Sequence, residues 1–204
     1  MLEEKITSLK KELIEYATLV ENMIEKSVRG LLKKKKDLLL EVMENDEPKA
    51  NQWEIELDEM CTNMIAQFQP AAKDLRTILM VLKINNDLER LGDHAVNIVQ
   101  SSLFLIEKPQ VKPLIDTPRM AECAIKMLKD SISSFINEDV KLANDVCERD
   151  RVVDGLRDQI LRELITFMSS DPTTIERSIH LIRISRNLER IADLSTNICE
   201  DVIF

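Results

Sequence analysis

Apolar residues recur at alternating intervals of three and four along most of the chain, which places them on single faces of successive α-helices. Ile6, Leu9, Leu13, Tyr16, Val20 and Met23 form the first such stripe, and the pattern predicts a helix from Glu3 to Glu44. Asn45-Asp46-Glu47-Pro48 is expected to stop it, because proline lacks the amide hydrogen a helix interior needs yet suits the first turn of the next helix. Leu57, Cys61, Met64 and Phe68 mark a second helix that ends near Gln69-Pro70. Val81, Ile84, Leu88, Leu91, Ala95 and Ile98 mark a third.

Helical periodicity then lapses between Glu107 and Pro118, where three prolines interrupt the chain and Thr117-Pro118 reads as a cap followed by the first helical position. The plan repeats beyond it. Ala121, Ala124, Leu128, Ser131 and Phe135 stripe a fourth helix, and Val153, Leu156, Ile160 and Phe167 lie on a fifth. Asp171-Pro172 opens a sixth, whose seam is Ile184, Leu188, Ile191, Ser195, Ile198 and Val202.

The third and sixth helices also share their polar residues. Leu88-Glu89-Arg90-Leu91-Gly92-Asp93-His94-Ala95-Val96-Asn97-Ile98 returns a hundred residues later as Leu188-Glu189-Arg190-Ile191-Ala192-Asp193-Leu194-Ser195-Thr196-Asn197-Ile198. Packing alone requires only the apolar members of such a repeat. The expected architecture is all-α: two tandem three-helix bundles, residues 1–108 and 114–204, each running up, down and up because the connections are short. A thirty-residue helix spans roughly 45 Å, so elongated bundles are expected.

Composition narrows the class further. The 204 residues include 28 Lys and Arg against 37 Asp and Glu, for a formal charge of −9, which argues against nucleic acid as the main partner. The one basic run, Lys33 to Lys36, reads as a solvated stretch of the first helix. Cys61, Cys123, Cys147 and Cys199 form no CxxC pair and read as reduced thiols. No apolar run approaches eighteen residues, and the acidic start Met1-Leu2-Glu3-Glu4-Lys5 does not suit a signal peptide, so a soluble, cytoplasmic protein is expected.

Helical geometry sets Glu89, Asp93 and Asn97 on a face turned away from Leu88 and Leu91, and Glu189, Asp193 and Asn197 likewise. Carboxylates one turn apart repel, and a hard cation between them removes the repulsion while taking oxygen ligands. Asp150 and Asp154 on the fifth helix, with Glu47 and Asn51 at the matching place in the first module, offer a second oxygen pair from an antiparallel neighbour. His94 and His180 have no acid partner at ligand spacing, and no nucleophile stands beside an activating base. Trp53 is expected to anchor its helix, and the nine methionines to fill core.

At these residues the chain resembles the PhoU family, whose tandem three-helix bundles carry E(D)xxxD motifs within L-E-R-x-G-D-x-A-x-N-I segments. Leu88 to Ile98 carries that pattern closely and Leu188 to Ile198 less so, while Gln69 to Arg76 and Glu148-Arg149-Asp150 with Val153-Asp154 also resemble family segments. The resemblance implies a non-enzymatic regulator of phosphate homeostasis. Such a protein restrains a high-affinity phosphate ABC transporter through its ATPase subunit, passes the transporter's state to a sensor histidine kinase, and commonly dimerises. It also implies metal on the acidic faces, iron by family resemblance, with magnesium, manganese, calcium or zinc as alternatives. Glu89, Asp93, Glu189 and Asp193 inherit the ligand role, with Asp150 and Asp154 next. Three positions depart from the pattern: Ala192 replaces glycine, Leu194 replaces histidine, and Asn51 stands where aspartate is usual. A phosphohydrolase built on a carboxylate-held metal, and a metal-free helical scaffold, are the competing readings.

Overall fold

The structure, a computed structural model, describes residues 2–203; Met1 and Phe204, the outer ends of the two expected modules, lie outside the described residues. Among the described residues it is all-α, with seven helices in chain order: α1 (Leu2–Lys33), α2 (Lys36–Glu41), α3 (Glu47–Phe68), α4 (Ala72–Ile106), α5 (Asp116–Asn137), α6 (Val140–Ser170) and α7 (Ile175–Ile203). A π turn over Val42–Asp46 joins α2 to α3, and a 3-10 turn over Pro172–Thr174 leads into α7. The first bundle is α1, the α2–α3 rod and α4; the second is α5, α6 and α7.

The first helix ends at Lys33, eleven residues before the expected Glu44. Lys34 takes a left-handed backbone (φ 50), and the amides of Lys34 and Lys35 bond back to the carbonyls of Leu31 (3.3 Å) and Gly30 (2.9 Å). That is a Schellman closure. What holds the corner shut is a close approach: a Cβ on Gly30 would lie 2.4 Å from Cδ2 of the fully buried Leu39. The basic run therefore turns a corner instead of extending a helix. The same closure ends α5, where Glu138 (φ 54) is left-handed, Asp139 donates its amide to the Ser134 carbonyl at 2.9 Å, and its carboxylate then caps α6 by accepting from Leu142.

Pro48 does not stop the second helix either. Eight residues separate the buried Val42 from the buried Ala50, whereas seven separate Val146 from Val153 in the uninterrupted α6. The first bundle thus carries one additional residue, and the π turn absorbs it just where proline needs a relaxed turn ahead of it. Asp46, at the end of this turn, is 4% exposed and accepts from Lys26 Nζ at 2.7 Å; Lys26 also donates to Glu41 at 2.8 Å. Two smaller corrections concern the second bundle. Phe167 is exposed and Leu164 takes its place in the core, and α5 starts at Asp116 with no side-chain cap from Thr117.

Leu88, Leu91, Ala95 and Ile98 of α4, and Leu188, Ile191, Ser195 and Ile198 of α7, are buried as their periodicity requires. The two helices pack antiparallel along their length, tied by Lys83 to Asp201 (2.8 Å), His94 to Asn187 (2.9 Å) and the stacked rings of Phe104 and His180. α1 and α5 also meet antiparallel, with Lys10 over the ring of Phe135. α1, α4, α7 and α5 therefore close a central four-helix ring, with α3 flanking one side and α6 the other. Among the described residues no helix is long and apolar enough to cross a membrane.

Candidate functional site

Each bundle presents a groove between its second and last helices, and the acidic residues of α4 and α7 line these grooves. In the first, Asn85 of α4 donates to the Glu54 carbonyl of α3 at 2.9 Å, which sets the face of α4 that looks at α3. Glu89 is one turn on, half-buried, with Asp93 exposed a further turn away. Burial pushes the Glu89 carboxyl above its ordinary range, and the charges of Asp93 and Glu54 push the same way, with Arg90 opposing more weakly. Glu54 was not expected at the site. Its spacing could have shown it, since Glu47, Asn51 and Glu54 follow one face of α3 at intervals of four and three.

Behind this cluster stands Tyr16 of α1, fully buried, its ring stacked on Trp53 at 6.5 Å between centroids. Its hydroxyl has no hydrogen-bond partner among the described residues. Burial raises its pKa, and Glu54, Glu89 and Asp93 raise it further, so the hydroxyl lies within the field of all three carboxylates. An unpartnered buried hydroxyl costs about 1–3 kcal/mol.

The second groove gathers Asp150 and Asp154 of α6 with Glu189 and Asp193 of α7. Burial raises the pKa of Asp150, followed by the charges of Asp154, Asp193 and Glu189, so Asp150 lies within the field of the other three. Here basic residues intervene. Arg157 Nη2 lies 3.4 Å from Glu189 and 3.6 Å from Asp154, while Arg190 pairs with Asp193 at 3.0 Å along α7. Glu189 is correspondingly less open than an outward-facing ladder implies, with its side chain 18% exposed.

The remaining expected ligands are peripheral. Asn97 and Asn197 stand exposed one turn beyond the aspartates, Glu47 is half-buried and Asn51 exposed on α3. Among the described residues no three His, Cys, Asp or Glu side chains converge as direct chelation of a metal requires. Any cation there would have no more than one or two direct carboxylate ligands and would keep much of its water, as hard ions such as Mg²⁺ do.

The family model described as the PhoU domain matches this chain twice, over residues 13–102 and 117–202. A phosphate-specific transport system accessory protein PhoU homolog from Aquifex aeolicus is 39% identical over 187 residues, covering 92% of this chain and 84% of that protein. A homolog of the same description from Pseudomonas aeruginosa is 33% identical over 201 residues, covering 98% of this chain and 83% of the relative. The crystal structure of PhoU from Pseudomonas aeruginosa superposes with a TM-score of 0.94 at 32% identity, covering 100% of this chain and 97% of that one. The phosphate transport system regulatory protein PhoU from Streptococcus pneumoniae, at 23% identity, shares the fold with a TM-score of 0.90 over 100% of this chain and 95% of its own.

Proposed function

The chain belongs to the PhoU family, and from that membership we propose that it is an accessory regulator of phosphate transport. It restrains a high-affinity phosphate ABC transporter by contact with the ATPase subunit and relays the transporter's state to a sensor histidine kinase, acting in the cytoplasm as a homodimer. The observation that carries this reading is the double match over residues 13–102 and 117–202, together with relatives that are named as transport accessory proteins.

Regulation by contact, not catalysis, suits the chemistry at hand. Burial drives the thiols of Cys61 and Cys199 up to about 12, which keeps both protonated and unreactive, and His94 is engaged by Asn187. In this reading divalent or ferric ions sit on the acidic faces and fix the surface that partners meet. The donors of the first groove suit such an ion: three carboxylates without an ion-pair partner among the described residues, and one buried hydroxyl awaiting a bond. The ion would supply positive charge that offsets the mutual repulsion of Glu54, Glu89 and Asp93.

Replacement of the chromosomal gene by one encoding Glu89→Ala with Asp93→Ala tests the proposal. The expected result is phosphate uptake that no longer falls when phosphate is plentiful, with the helical fold intact by circular dichroism. Uptake and phosphate-responsive expression identical to wild type, in this variant and in a deletion strain, would overturn it.

A further inference from the structure

We propose that the two acidic grooves are inequivalent: the first takes a hydrated divalent cation among Glu54, Glu89 and Asp93, while in the second the guanidinium of Arg157 stands where that cation would. The inference rests on the reading of the acidic faces as cation sites and assigns that role to one of them.

The argument begins with register. The buried positions of α3 and α6 coincide when Ala50 is set on Val153, Leu57 on Ile160 and Cys61 on Leu164. Glu47 then falls on Asp150, Asn51 on Asp154, and Glu54 on Arg157. At the same level of the same groove one repeat has an acid and the other a base. Arg157 is three residues beyond Asp154, and its guanidinium lies 3.4 Å from Glu189, 3.6 Å from Asp154 and 3.4 Å from Asp158. A guanidinium keeps its proton under all ordinary conditions, so it is a fixed positive charge among these carboxylates. A metal ion entering there meets a like charge and must break existing pairs.

The first groove lacks that charge. Glu54, Glu89 and Asp93 make no ion pair among the described residues, although Arg90 follows Glu89 directly; it reaches Asp87 instead, at 3.8 Å. The second difference is independent of charge. Matching α1 to α5 through their buried residues sets Ala17 on Ala121, Met23 on Met127 and Ser27 on Ser131, which places Tyr16 on Met120. Both side chains are fully buried, but only Tyr16 carries a hydroxyl, and that hydroxyl is unpartnered within the field of the three carboxylates. Where one repeat offers thioether and guanidinium, the other offers hydroxyl and carboxylate. An ion that keeps part of its water shell uses both: the acids supply charge, and the Tyr16 oxygen bonds to a shell water.

Equilibrium dialysis of the full chain against Mn²⁺, with bound metal counted by elemental analysis, decides the matter. Wild type should take up Mn²⁺, Glu89→Gln with Asp93→Asn should abolish the uptake, and Glu189→Gln with Asp193→Asn should leave it within about twofold. Arg157→Glu, and Arg157→Ala should the glutamate variant fail to fold, should add binding in the second groove. Tyr16→Phe should weaken Mn²⁺ binding by roughly 3- to 10-fold, the ordinary worth of one hydrogen bond. Equal loss from the two carboxamide pairs, or no added binding in either folded Arg157 variant, overturns the inequivalence while leaving cation binding intact. A wild type that takes up no Mn²⁺ overturns the cation reading and this inference with it.

Discussion

Glu54 and Arg157 hold the same position on the second helix of their bundles and carry opposite charge. Around Arg157 the carboxylates of Asp154 and Glu189 lie at 3.6 and 3.4 Å, whereas Glu54 adds its own charge to those of Glu89 and Asp93. One substitution within a duplicated frame thus separates a groove in which a guanidinium pairs with Asp154 and Glu189 from one whose acids meet no such partner among the described residues.

Crowded, partly buried acids carry a stability cost that depends on pH, in either groove. Burial first, and neighbouring carboxylates second, raise the pKa values of Glu89 and Asp150 in the folded chain, so the folded state holds these protons more tightly than the unfolded state. Stability from these groups is therefore present below the ordinary carboxylate range and lost as pH rises through the raised folded values. Glu89→Gln and Asp150→Asn are each expected to stabilise the protein by about 0.5 kcal/mol at pH 7. The gain should vanish below about pH 4. Urea denaturation at the two pH values checks both statements.

The buried end of the π turn depends on one lysine. Asp46 is 4% exposed with Lys26 at 2.7 Å, so Lys26→Met leaves an uncompensated charge and is expected to destabilise by about 3 kcal/mol. Lys26→Met combined with Asp46→Asn should recover most of that loss, as measured by the urea midpoint.

Gly30 serves close packing, since its own φ is not in the left-handed region. Its missing Cβ would stand 2.4 Å from Cδ2 and 2.7 Å from Cγ of Leu39, and Leu39 is fully buried. Gly30→Ala normally gains about 1 kcal/mol in a helix. Here the clash should outweigh that gain and lower stability by about 1–2 kcal/mol net, with the thermal midpoint as the measure.

Cys61 and Cys199 are fully buried, and burial pushes both thiols up to about 12. Ellman's reagent at pH 8 should leave these two unmodified in the native protein and modify them once guanidinium unfolds it.

The sequence made the helical seams readable because burial enforces period: Leu57, Cys61 and Met64 in α3 and Ile184 to Ile198 in α7 all turned inward. The same logic led it astray at two places. Lys34 adopts a left-handed backbone without glycine or proline to announce it, since the constraint comes from Leu39 packing on Gly30 across the corner. Pro48 looked like a stop, but a π turn ahead of it carries the helix through. At the site, Glu89, Asp93, Glu189 and Asp193 were visible through repetition, while Glu54 was not, because its counterpart is Arg157 and repetition reveals only what both copies keep. Tyr16 read as a core residue, which it is. That its hydroxyl lacks a partner depends on side chains of three other residues brought together by folding.

Trp53, the one tryptophan, stacks on Tyr16 at 6.5 Å and so reports on the first groove alone. Paramagnetic Mn²⁺ titrated into the protein while Trp53 fluorescence is followed is the most direct test of cation binding there. Saturable quenching that disappears in Glu89→Gln with Asp93→Asn, and persists in Glu189→Gln with Asp193→Asn, is the predicted result. Quenching that never saturates, or that is unchanged when Glu89 and Asp93 are neutralised, would contradict it.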